Sequence, residues 1–195
     1  MTKWALKETT PPHDRSQRSE KALQPSSLHT IQLSILSNFT TMSQTQELVP
    51  YTTVTRDIYA PIGEVWGILG GFGAEKAWYP GCIKLSLEGF GIGSIRRFSY
   101  EYPEGPQKGQ RYEFSEEMTE VDASNHSMTF RVRRPDYPDM IAFGTTALEY
   151  IGPNKTRFIW SSKGSPLPEE YQQVLNKDLE FRFAGLIAAI AKQVE

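Results

Sequence analysis

The chain has a single cysteine, Cys82, among its 195 residues. An intrachain disulfide framework is therefore excluded, and a reducing compartment, the cytoplasm, is the expected setting. Histidine is almost as scarce, and two of the three, His13 and His29, fall in the first 46 residues. No Cys/His cluster is left to hold zinc, and no metal is expected. Long apolar runs are missing too. The longest, Phe183 to Ala191, falls well short of the roughly 20 residues a membrane-spanning helix needs. Stable membrane insertion is not expected. No basic stretch followed by an apolar one opens the chain, so no secretory signal is expected. With 21 basic against 23 acidic residues, the chain lacks the basic excess of a nucleic-acid footprint.

Glycine is absent before Gly63, and all 15 glycines lie from there on. Residues 1–46 hold 14 Ser or Thr and only two aromatics, Trp4 and Phe39. Such a segment cannot bury enough apolar surface to offset the entropy of ordering. It is expected to be a disordered or poorly ordered extension, with at most a short helix over Ile31–Phe39. Its Ser-rich, mildly basic character has a faint likeness to a transit peptide, and Met42 would also make a natural N-terminus for the domain. The remaining 21 of 23 aromatics fall in residues 47–195, which read as one domain.

From there the periodicities describe an α+β domain. Tyr51–Tyr59 is β-branched and predicts a strand. Pro61 suits a first helical position, where its missing N–H is not needed. Glu64, Val65, Ile68 and Leu69 then give a short helix that Gly70-Gly71 ends. A second short helix is predicted over Ala74–Trp78. After Pro80-Gly81, six strands are predicted: Cys82–Gly89, Ser94–Tyr100, Gln110–Val121, Ser127–Arg133, Met140–Tyr150 and Thr156–Lys163. The connectors between them are rich in Gly, Pro, Asn and Asp. With no helix between them, such strands pair antiparallel as a meander.

The last predicted element is a long helix, Pro168 to Val194. Glu169 and Glu170 suit the positive end of its dipole. Leu175, Leu179, Phe183, Leu186, Ile187, Ile190 and Val194 make one apolar stripe. The expected arrangement is a seven-stranded antiparallel curved sheet wrapped around this helix. The space between them is then either a core or a cavity.

Several local patterns carry a resemblance to a known family. They are Ile58-x-Ala60-Pro61-x-x-x-Val65-Trp66, Phe72-Gly73 with Trp78-Tyr79-Pro80, and Gly93-Ser94-Ile95-Arg96-Arg97-Phe98. Further on come Glu116-Glu117-Met118 with Asp122, Phe130-Arg131-Val132, and Thr156-Arg157-Phe158-Ile159-Trp160. In this order and spacing, over about residues 51–193, the chain resembles the START-like, birch-pollen-allergen-like superfamily (SRPBCC), in its polyketide cyclase/dehydrase and lipid-transport branch. The resemblance implies the helix-grip fold, an internal cavity and a hydrophobic small-molecule ligand. It implies no cofactor and a monomer or homodimer. It also makes Arg96 the inward member of the Arg96-Arg97 pair, since neighbours on a strand face opposite ways.

An inward arginine needs a partner, and Glu116 on the next strand is the expected one. The pair either fixes the sheet or provides a cation that polarises a ligand carbonyl. Arg96, Glu116, Tyr100 and Tyr112 are the expected catalytic residues. Trp78, Phe98, Phe143, Trp160, Leu179 and Phe183 are the expected ligand walls. Gly89-x-Gly91-x-Gly93 lies between strands, whereas a dinucleotide fingerprint must open a helix. It is read as a flexible hairpin at the cavity mouth. His126 reads as a surface turn residue, and Arg131 with Arg133 as a solvated outer face. Two functions remain open at this point. One is a cofactor-independent cyclase, dehydratase or isomerase of specialised metabolism acting on an aromatic or polyketide-like molecule. The alternative is a non-catalytic carrier of a hydrophobic ligand or lipid. A buried acid lining the cavity would favour the enzyme.

Overall fold

A β-branched run is committed to a sheet until proline removes its donor, and the first strand obeys this rule. In the computed structural model, which describes residues 47–195, strand β1 spans Val49–Ile58 and helix α1 spans Ile62–Leu69, with Pro61 at its N-cap. The predicted N-terminal extension, including the Ile31–Phe39 helix, lies outside the described residues. A three-residue 3-10 turn, Glu75–Ala77, stands in place of the second short helix predicted over Ala74–Trp78. The chain then turns at Gly81, whose φ of 81° and closeness to the Glu101 carbonyl leave no room for a side chain.

Six further strands follow: β2 (Cys82–Glu88), β3 (Ile95–Glu101), β4 (Arg111–Asp122), β5 (Ser127–Arg134), β6 (Tyr137–Gly152) and β7 (Lys155–Gly164). The sheet order is β1-β7-β6-β5-β4-β3-β2, with every pairing antiparallel. Strand β6 starts earlier than expected, because Arg134 pairs with Tyr137 and turns Pro135–Asp139 into a tight hairpin rather than a loop. Helix α2 spans Glu169–Val194. This is the helix-grip arrangement.

The inner face of the sheet carries Phe98, Tyr100, Phe114, Phe130, Phe158 and Trp160, all buried. The buried residues of α2 are Phe183, Leu186, Ile187, Ile190 and Ala191, so only its C-terminal half is fully sealed. Leu175 and Leu179 are half-buried, and Tyr171 and Val174 are exposed. The first half of the helix thus stands off the sheet. That end of the molecule also holds the β3–β4 connection and the β5–β6 hairpin. The glycine-rich β2–β3 loop lies at the opposite end, with the β4–β5 and β6–β7 turns, so it is not at this mouth. Among the described residues no helix is long and apolar enough to cross a membrane.

Candidate functional site

The deep half of the interior is organised by charge. Strand β3 alternates inward Arg96, Phe98 and Tyr100 with outward Arg97 and Ser99. The β3–β4 register sets Arg96 directly opposite Glu116. Arg96 Nε donates to Glu116 Oε2 at 2.6 Å, and Nη2 lies 2.6 Å from the same oxygen. Glu116 also forms part of the cavity wall. A second carboxylate, Glu75, receives Arg96 Nη1 and also accepts from the Gly73 N–H at 2.8 Å. The three side chains are 8% exposed or less. The guanidinium lies over the rings of Phe72, Phe98 and Phe130, nearest to Phe72 at 4.1 Å. One cation thus serves two buried carboxyl groups. Burial pushes the Glu75 carboxyl above its usual range, against the opposing pull of Arg96.

The shallow half is organised by rings and by a second buried arginine. Tyr100, Tyr102 and Tyr112 form a contiguous aromatic row with centroids 5.0–5.4 Å apart. Arg182 of α2 lies over Tyr100, Tyr112 and Phe114 at 5.2, 5.3 and 5.5 Å. Its side chain is 10% exposed. Its Nη2 donates to the Tyr79 hydroxyl at 3.1 Å, while Asp178, one turn earlier, stays 3.9 Å away. Asp178 accepts instead from the Tyr102 hydroxyl at 2.8 Å. Arg182 Nε and the Tyr112 hydroxyl are buried with no hydrogen-bond partner. Ser162 Oγ and the Trp160 indole N–H, on the same cavity, are likewise unpartnered. Burial pushes the hydroxyls of Tyr100 and Tyr102 up to about 12, and that of Tyr112 further still.

These groups border neighbouring spaces. An inner cavity of about 60 Å³ is lined by Tyr112, Glu116, Trp160, Leu179, Arg182 and Phe183, among others. Arg134, Met140 and Leu175 border both this cavity and a vestibule of about 680 Å³ beneath the first half of α2. Arg134 is fixed there by a two-point bond to Asp136 and lies 5.0 Å over Tyr112. On the deep side a hollow of about 10 Å³ adjoins Arg96, Glu75, Trp78, Thr146 and Trp160. Trp78 Nε1 and Thr146 Oγ1 also lack partners there.

The expected site residues therefore fall into groups. Arg96 and Glu116 meet as a pair. Tyr112, Trp160, Leu179 and Phe183 surround the inner cavity, and Trp78 borders the deep hollow. Phe98 is stacked on Phe114, 4.5 Å away, and Tyr100 is packed among Tyr79, Tyr102 and Tyr112. Phe143 also borders the inner cavity, although strand parity, between inward Ala142 and Gly144 and opposite Arg131 and Lys163, turns its ring to the outer face. The inner row of β6 is small for a reason. A side chain at Gly144 would collide with the Phe130 ring opposite it. His126 occupies its turn with φ at 51° and packs edge-on against Trp66, which is only half-buried.

Three residues of the site are absent from the expectations above. Glu75 sits on a short turn with no periodicity to reveal it. Arg134 is redirected by the irregularity between Val132 and Arg134. Arg182 does carry a signal, a charge between Leu179 and Phe183 on the inner side of an otherwise apolar stripe. Among the described residues no group of three or more His, Cys, Asp or Glu side chains could hold a metal ion.

The profile of the family described as polyketide cyclase / dehydrase and lipid transport matches residues 51–195. No curated protein matches the chain. Among solved structures, the ZhuI aromatase/cyclase from Streptomyces sp. R1128 is similar over 75% of this chain and 93% of its own, at 14% identity and a TM-score of 0.61. Norcoclaurine synthase from Thalictrum flavum, in complex with dopamine and hydroxybenzaldehyde, is similar over 75% and 85%, at 19% identity and 0.58. A major latex-like protein from Panax ginseng is similar over 75% and 97%, at 15% identity and 0.59. At these identities the likeness is one of fold.

Proposed function

The chain belongs to the polyketide cyclase/dehydrase and lipid transport family, and from that premise we propose that it is a cofactor-independent cyclase, dehydratase or isomerase of aromatic or polyketide-like molecules. The observation that carries this reading is the Glu116 carboxylate, buried on the cavity wall and bonded by Arg96 through one oxygen only. A carrier needs an apolar container and gains nothing from an acid in its wall, because an ionised group is costly to desolvate. An enzyme that moves protons next to a carbonyl needs such a group within reach of the substrate.

In this reading Glu116 Oε1 removes a proton from the carbon beside a ligand carbonyl. The electrons of that C–H bond shift onto the carbonyl oxygen, which the Tyr112 hydroxyl meets with a hydrogen bond. Glu116 then returns the proton to another carbon, or to a departing hydroxyl in a dehydration. Arg96 positions Glu116 through its bond to Oε2. Tyr100 supports Arg182 and Tyr112 as a wall. Trp160, Leu179 and Phe183 surround the carbons beside that carbonyl, while Phe98, stacked on Phe114, backs the wall and Trp78 borders the deep hollow.

The test uses 2-tetralone, an aromatic-fused ketone with exchangeable protons next to its carbonyl. The full-length protein is expected to accelerate deuterium exchange at those carbons in D₂O. Glu116→Gln should lower that acceleration by about 100-fold or more, while 2-tetralone still binds. Binding of 2-tetralone with exchange at the rate of free solution would favour the carrier. Exchange left intact in Glu116→Gln would remove Glu116 from the mechanism.

A further inference from the structure

Buried polar atoms in folded proteins are almost always hydrogen-bonded, so unpartnered ones need a reason. Among the described residues, four of the eight such side-chain atoms gather around one space. Arg182 Nε, Tyr112 Oη, Ser162 Oγ and the Trp160 indole N–H all border the inner cavity, and all are unpartnered. Each can donate a hydrogen bond, and the arginine and tryptophan can only donate. A missing ligand that met this set would be rich in acceptors.

Charge narrows the class further. Arg182 is 10% exposed, with its nearest carboxylate oxygen 3.9 Å away, beyond hydrogen-bond reach. That carboxylate, Asp178, is engaged by the Tyr102 hydroxyl. Arg182 makes one hydrogen bond, to a neutral phenol. A buried guanidinium so poorly met favours a negative charge beside it. The other cation at this end, Arg134, is already bonded at two points to Asp136.

Size gives the orientation. An inner cavity of about 60 Å³ admits a small polar group and the carbons next to it, not a fused ring system. The adjoining vestibule, at about 680 Å³, lies within the range of roughly 300–1,000 Å³ typical of small-molecule sites. It is walled by Tyr102, Tyr137, Tyr171, Val174 and Leu175.

We propose that the ligand enters with an anionic oxygen leading (a carboxylate, phenolate or enolate), that Arg182 and Tyr112 grip this oxygen, and that the aromatic body stays in the vestibule beneath the first half of α2. This deepens the enzyme reading by naming its substrate class, and rests on the same cavity. The grip itself concerns binding and does not require Glu116 to react. Arg182 is here a specificity-determining residue, chosen against neutral ligands of the same shape.

The experiment compares 2-naphthoate with 2-naphthamide, which share a shape and differ in charge, by calorimetric titration of the full-length protein. Wild type is expected to bind the carboxylate at least tenfold more tightly. Arg182→Met should reduce that preference to twofold or less, with naphthamide affinity little changed. Tyr112→Phe removes one hydroxyl at constant shape and should weaken naphthoate binding by about fivefold or more. Without ligand, the same variant should melt at or above the wild-type temperature, because it deletes a buried hydroxyl that has no partner. Equal affinities in wild type would overturn the proposal, as would a preference that survives Arg182→Met. Should Arg182→Met not fold, Tyr112→Phe decides: naphthoate binding as tight as wild type, or a lowered melting temperature without ligand, overturns it. Glu116→Gln removes a carboxylate from the same cavity wall and is expected to keep or increase the naphthoate preference, so loss of exchange chemistry and loss of the grip are read separately.

Discussion

Two arginines are buried in this interior, and they are treated in opposite ways. Arg96, on the sheet, is held by two carboxylates and lies over three aromatic rings. Arg182, on the helix, has a phenol, three ring faces and one carboxylate at 3.9 Å, within ion-pair but not hydrogen-bond distance. The first is complete without a ligand. The second is complete only with one. Buried charge by itself therefore does not mark a binding site; what distinguishes the two ends is whether the protein supplies the partners. The deep end fixes geometry and positions Glu116, and the shallow end is left open to recognise something.

The largest expected effect comes from this contrast. Arg96→Met should cost about 3–5 kcal/mol in denaturant unfolding, because it leaves two buried carboxyl groups without their cation. Arg182→Met should cost about 1 kcal/mol or less, since Asp178 keeps its bond from Tyr102 and no buried acid is orphaned. Similar losses for the two variants would break the comparison.

A smaller effect sharpens it. The Glu75 carboxyl is raised above its ordinary value of 4.5, chiefly by burial. A raised carboxyl holds its proton more tightly in the folded state than in the unfolded one. Its favourable contribution is present below pH 4.5 and is lost as pH rises through the folded-state value. Glu75→Gln cannot ionise and should lack this loss. The stability of the variant relative to wild type is expected to climb as pH rises from 4.5 toward neutrality, in unfolding curves measured across that range. A difference independent of pH would mean that Glu75 is already ionised beside Arg96.

Much of the deep end is legible in the chain, because strand parity and adjacency are local rules. Once Arg96 is placed inward, the neighbouring strand can offer Glu116 and little else. The seven strands and the long helix come from period alone. What is not legible depends on long-range approach. Glu75 is 21 residues from Arg96 and sits on a turn with no repeating pattern. Arg134 changes its surroundings through an irregularity in strand pairing that no periodicity announces. Size is a poor guide at Phe143, which borders the cavity from a strand position whose ring parity turns outward, because the inner row there must be small. Ala142 and Gly144 make that room, and Gly144 does so for the ring of Phe130. Arg182 is readable as a charge interrupting an apolar stripe, but its meaning comes only from seeing which partners it lacks.

The most direct measurement tracks the Nε–H signals of the two arginines in the ¹⁵N-labelled full-length protein during titration with 2-naphthoate. The account predicts that the Arg182 Nε–H signal shifts progressively with ligand, together with the Trp160 indole N–H, while the Arg96 Nε–H signal, already bonded to Glu116, stays in place. A shift at Arg96 with none at Arg182 would contradict it.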